Sequence, residues 1–183
     1  MLMPRTLPLT AAALVFAALP VAAQSPLAEA IKRHADGVAR NIVEAAEKTP
    51  DADYTYQASK DVRTFGGFVG HIADANYNFC ARAKGEPNPN KESFEKMTDK
   101  AKLVAGVKAS VAYCDAVYAA QTDASLSEMV TAGTQQVPKG AILVQNASHN
   151  NEHYGNLVTY MRLKGLVPPS TERAQQPRKP GQN

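Results

Sequence analysis

A chain of 183 residues is long enough for one domain with a full apolar interior, so disulfides are optional for its folding. The formal net charge is only +3, no Lys/Arg block is long, and aromatic residues do not alternate with basic ones, which argues against nucleic acid as a partner. Tryptophan is absent and alanine abundant, a balance that leans towards helix.

Residues 1–23 read as a secretory signal peptide. Arg5 stands in an acid-free start, Ala11 to Leu19 form a short apolar run, and Pro20 breaks it. Val21-Ala22-Ala23 then offers small residues for cleavage before Gln24. The run is too short for a stable membrane span, and nothing later is apolar for long enough to be one. An uncleaved amphipathic anchor is the alternative. The mature protein is expected to be secreted, and periplasmic if the source is Gram-negative.

The rest divides into a helical domain over 24–169 and a tail over 170–183 that is expected to be disordered. The first helix opens at Ser25-Pro26, a cap followed by a first-turn proline, and ends before Thr49-Pro50. Leu27, Ile31, Val38 and Ile42 share one face. After a polar loop to Lys60, a second helix begins around Asp61. Phe65, Phe68, Val69, Ile72, Phe79 and Cys80 form its apolar face, and Gly85, Pro87 and Pro89 end it. The third runs from Glu92 or Asp99 to Gln121 on a stripe of Leu103, Val107, Val111, Cys114 and Tyr118. Pro138 precedes the fourth, which Gly165 and Pro168-Pro169 stop. No stretch alternates long enough to argue a strand. Four amphipathic helices without strands make an all-α four-helix bundle.

The strongest chemical signal is His149-Asn150-Asn151-Glu152-His153. Two histidines four apart share a helix face, close enough for both imidazoles to reach one ion. Asn146, Asn156 and Tyr160 fall on the same polar row and are candidates to line a site. His71 lies at the shoulder of the second helix's apolar face and completes a set of three. Three protein ligands with an open position define a catalytic type of zinc site. His34 is a fourth candidate, though its position suits an ordinary boundary residue. The same five residues spell His-x-x-Glu-His, the pattern of inverted zinc peptidases with Glu152 as base. Those need a further acidic ligand downstream, where only Glu172 stands. Gly66-Gly67 lacks the remainder of a phosphate-binding loop and reads as local flexibility.

Two segments resemble the DinB/YfiT family of metal-dependent proteins: Phe65 to Asp74, containing Gly66-Gly67 and Gly70-His71, and His149 to Arg162 with the following Gly165 and Pro168. The resemblance covers nearly all of the mature chain. It implies a four-helix bundle in which His71, His149 and His153 hold one divalent ion, zinc or nickel. Relatives include thiol-dependent transferases and a mycothiol-dependent isomerase. A metal-dependent hydrolase or thiol transferase acting on a small-molecule substrate is therefore one expectation. A non-catalytic, stress-related binding module with a structural metal is the other. An exported chain departs from the thiol-using relatives in its location. Self-association into a homodimer is left open.

The resemblance also bears on Cys80 and Cys114, the only cysteines, which export would place in an oxidising compartment. In an antiparallel hairpin the two would sit at opposite ends, too far apart to bond. The family's bundle implies parallel second and third helices joined by a crossover, which brings the pair level and allows a disulfide.

Overall fold

A computed structural model describes residues 25–176; the expected signal segment 1–23 and the last seven residues of the expected tail lie outside the described residues. Four long helices dominate: α1 (Pro26–Lys48), α2 (Phe65–Lys84), α3 (Lys100–Ala119) and α4 (Lys139–Leu163). The chain is all-α in class, with one two-stranded hairpin, β1 (Met129–Ala132) and β2 (Gln135–Pro138), before α4. The hairpin was not foreseen because each strand is four residues long and shows no sustained apolar alternation. Among the described residues no helix is long and apolar enough to cross a membrane.

Local chemistry sets the helix ends. α2 starts at Phe65 rather than near Asp61, because the Thr64 hydroxyl accepts from Gly67 N–H at 3.0 Å and caps the first turn. It stops at Gly85, whose φ of 71° is open to glycine at little cost. Asp99 caps α3 by accepting from Lys102 N–H at 2.9 Å. Gly66 is not a point of flexibility: a Cβ there would stand 3.1 Å from the Tyr54 ring and 3.2 Å from Leu103, so its bareness lets α2 pack closely.

The pairing of residues gives the topology. Asn76 meets Ser110, and Cys80 is disulfide-bonded to Cys114 with the Cα atoms 5.4 Å apart, so α2 and α3 run parallel. Phe68 meets Tyr160 while Asn76 meets Asn146, so α4 runs antiparallel to α2. Lys32–Asp115 and Glu47–Lys108 ion pairs set α1 antiparallel to α3. α1 and α2 each pack on both α3 and α4. The segment from Gly85 to Asp99 is the crossover that returns the chain to the start of α3, with a 3₁₀ turn at Phe94–Lys96.

Two apolar clusters fill the bundle. One gathers Ile42, Phe65, Val69, Leu103, Leu157 and Met161. The other gathers Ala28, Cys80, Cys114, Tyr118, Ile142 and Leu143. Each fully buried aliphatic or aromatic side chain stabilises the fold by roughly 1.5–3 kcal/mol. Between the clusters lies a buried polar layer, described below. The expected disordered tail begins instead with α5 (Pro169–Gln175), because Pro169 suits a first helical turn and the turn is anchored. Tyr154 donates to Ser170 at 2.8 Å, and Glu172 and Arg173 pair with Lys48 and Glu44 on α1.

Candidate metal centre

The pitch of α4 stacks His149 and His153 one turn apart, and antiparallel α2 brings His71 opposite them. The Nε2 atom of His149 lies 3.1 Å from Nε2 of His71 and 3.1 Å from Nε2 of His153. The three ligand atoms fall within 4.8 Å of one another, the single such group among the described residues. Two nitrogens bound tetrahedrally to one ion at about 2.0–2.1 Å would stand roughly 3.3 Å apart. The two 3.1 Å spacings about His149 are close to that value.

The outward nitrogens indicate which way the lone pairs point. His71 Nδ1 lies 2.9 Å from Glu95 Oε2, and Glu95 Oε1 accepts from Arg63 Nε at 2.7 Å. An ionised carboxylate can only accept, so it holds the proton on Nδ1 and leaves the Nε2 lone pair facing inward. Burial alone would raise the Glu95 carboxyl, but hydrogen bonds from Arg63 and His71 outweigh it and hold the group below its usual range. Asn156 Nδ2 lies 3.2 Å from His153 Nδ1, at the outward side of that ring. His149 Nδ1 is buried without a partner.

Burial lowers the pKa of His149, and the neighbouring His71 lowers it further. His153 is lowered to about 4, first by burial and then by His149 and His71. Both rings are therefore neutral across ordinary pH, the form that binds a cation. Three converging imidazoles, one backed by a carboxylate, make a donor set suited to zinc, nickel or a similar divalent ion.

The remaining candidates separate. Asn156 stands at the rim beside His153. Tyr160 is buried, donates to Arg63 carbonyl at 2.7 Å and packs on Phe68, so it supports the site's wall rather than reaching its centre. Asn146 turns away from the histidines: Nδ2 donates to Asn76 Oδ1 at 2.9 Å and Oδ1 accepts from Tyr118 at 2.9 Å. It sits near the edge of the polar row, and α3 captures it. His34 is exposed in a groove beside Arg33 and Arg173, outside the cluster. Glu172 pairs with Lys48 and supplies no ligand for a peptidase arrangement. Glu95 and Arg63 were not anticipated, because both lie outside the long helices, where periodicity carries no information.

A parallel crossover bundle with a three-histidine cluster on α2 and α4 defines a class of helical proteins with a group that could hold an ion between two helices. The DinB superfamily model matches residues 34–157, and the chain belongs to that superfamily. No curated protein is similar enough to count as a relative. Among solved structures, a DinB-like protein from Bacillus cereus superposes with a TM-score of 0.66 at 18% identity, over 77% of this chain and 95% of that one. A DinB-like protein from Bacillus subtilis gives 0.63 at 25% identity, over 75% and 94%. The mycothiol-dependent maleylpyruvate isomerase gives 0.58 at 16% identity; the match covers 71% of this chain and 60% of that protein.

Proposed function

We propose that this is an exported metalloprotein in which His71, His149 and His153 hold one divalent ion, zinc or nickel, for hydrolysis or thiol transfer on a small molecule. The observation that carries the reading is the convergence of three imidazoles, with His149 Nε2 3.1 Å from Nε2 of both His71 and His153 and with His71 oriented by Glu95. A divalent ion in such a site supplies Lewis acidity and lowers the pKa of a water or thiol.

A cleft of about 560 Å³ opens beside His153, lined by Lys60, Arg63, Phe68, Glu152 and Asn156 among others. In it Phe68 offers an apolar wall, and Arg63 and Asn156 offer donors that orient a polar substrate group. Glu152, exposed at the rim, is placed to accept a proton. A side open to a lined cleft supports catalysis over a closed structural site. The isomerase among the structural neighbours uses mycothiol; its low identity supports the shared fold, and thiol use here is our proposal.

Metal analysis of the purified mature protein tests the reading. We expect one ion per chain and loss of most of it in His71→Ala. Full occupancy in that variant would remove His71 from the ligand set.

A further inference from the structure

The polar layer that splits the core consists of Asn76, Asn146 and Asn150, tied to Ser110 and Tyr118. Asn76 Oδ1 accepts from Asn146 at 2.9 Å and from Asn150 at 2.8 Å, and Asn76 Nδ2 donates to Ser110 at 3.1 Å. The three asparagines are 1%, 1% and 6% exposed, so water does not satisfy them freely. Buried carboxamides cost stability relative to an apolar core unless all their hydrogen bonds are made. Here they are not: Asn150 Oδ1 is buried with no partner, and each asparagine amide has two N–H groups, of which Asn146 and Asn150 each use one in this layer.

On the side of this layer away from the histidines, a cavity of about 310 Å³ opens between α1 and α3, with the three asparagines among its lining. Its walls are small or apolar, including Ala35, Ala39, Val43 and Val111. The small α1 residues leave the space that a Leu would fill. At the mouth, Lys32 spans Asp36 and Asp115, tying α1 to α3 and leaving Arg40 beside the opening. Its volume lies at the low end of the ~300–1,000 Å³ typical of small-molecule sites. None of the three histidines lines it.

We propose that this cavity is a second ligand site, distinct from the histidine cluster, for a small uncharged molecule with an apolar body and one hydrogen-bonding head, such as a primary amide. The walls take the body, and the asparagine floor supplies both donors and an acceptor to the head. A charged head is disfavoured at the asparagine floor, which offers amides and no counter-charge, the charged lining residues Asp36, Arg40 and Asp115 belonging to the opening already described.

Methyl-detected NMR titration of the full mature protein with benzamide, benzoate and toluene tests this. Benzamide should give saturable shifts at Ala35, Ala39, Val43 and Val111. Benzoate and toluene should each bind about tenfold more weakly, the fold-change expected for one lost or unmatched hydrogen bond. Ala39→Leu should abolish benzamide binding without changing metal content, and Val111→Phe serves if that variant does not fold. Asn150→Ala should weaken benzamide about tenfold and leave toluene unaffected. Equal affinity for toluene and benzamide would show a merely apolar void and overturn the proposal. So would absence of saturable shifts at these methyls, or shifts confined to the histidine cluster.

Discussion

Glu95, in the 3₁₀ turn of the crossover, places its Oε2 atom 2.9 Å from Nδ1 of His71, in the first half of α2. A segment without regular periodicity thus sets the orientation of a candidate ligand. The placement depends on two further contacts. Asp74 accepts from the backbone N–H groups of Phe94 and Glu95, each at 3.0 Å, and Gly70 lets the turn sit directly on the helix.

Glu95→Gln should therefore weaken metal binding while leaving the fold intact. The amide can still approach Nδ1, but it loses the negative charge that holds the proton there and balances Arg63. A loss of roughly 10–100-fold in affinity is expected for a partner of this kind. Competition with a chromogenic chelator measures it, and an unchanged circular dichroism spectrum separates it from unfolding.

Gly70→Ala should act on the same link from the helix side. A Cβ at Gly70 would fall within 2.7 Å of Glu95 N and closer still to the Phe94 carbonyl, so the crossover must lift. Overpacking of this kind costs about 1–3 kcal/mol. Urea denaturation should show that loss, and metal affinity should fall along with it because Glu95 moves with the turn.

These two residues mark where the sequence stopped being legible. His149 and His153 were readable because four residues on a helix is a fixed distance in space. His71 was readable from its place at the shoulder of an apolar stripe and from a family resemblance. The four long helices followed from their apolar stripes and their proline and glycine ends. Glu95 lies 24 residues from His71, and only the folded crossover brings them together. Asn146 shared the polar row of α4, yet the bundle turned it towards α3, where Tyr118 holds it. Helical phase gives a direction to within a sector, and the neighbouring helix decides which side of that sector is inside. The β1–β2 hairpin and α5 were missed because each is short and depends on contacts distant in sequence.

The metal-free protein should lose stability as pH falls from about 6.5 towards 4. His153 is held down to about 4 in the folded state, against an ordinary value of 6.5. Between those values the unfolded chain binds a proton that the folded chain does not, so acid favours unfolding; the contribution is complete above 6.5. His149 is lowered too and adds in the same direction. Urea midpoints measured across this range should fall with pH, and His153→Gln should flatten the slope. An unchanged midpoint from pH 7 to 4.5 would contradict the burial of a neutral ring.

The Cys80–Cys114 bond should make a large contribution to the stability of the protein. It joins α2, which carries His71, to α3, across a sequence separation of 34. A loop of that size restricts the unfolded chain enough to contribute about 3–4 kcal/mol by the chain-entropy estimate. Both cysteines are buried, at 0% and 5% exposure, so reductant reaches them only when the bundle opens. Three outcomes follow. Denatured, unreduced mature protein should titrate no free thiol. Reductant should act slowly on the native protein and quickly in urea. Cys80→Ala/Cys114→Ala together should lower the urea midpoint while retaining the metal, since neither sulfur belongs to the histidine cluster. Two free thiols in the denatured, unreduced protein would mean that the pair is not oxidised where the protein matures, and would count against export to an oxidising compartment.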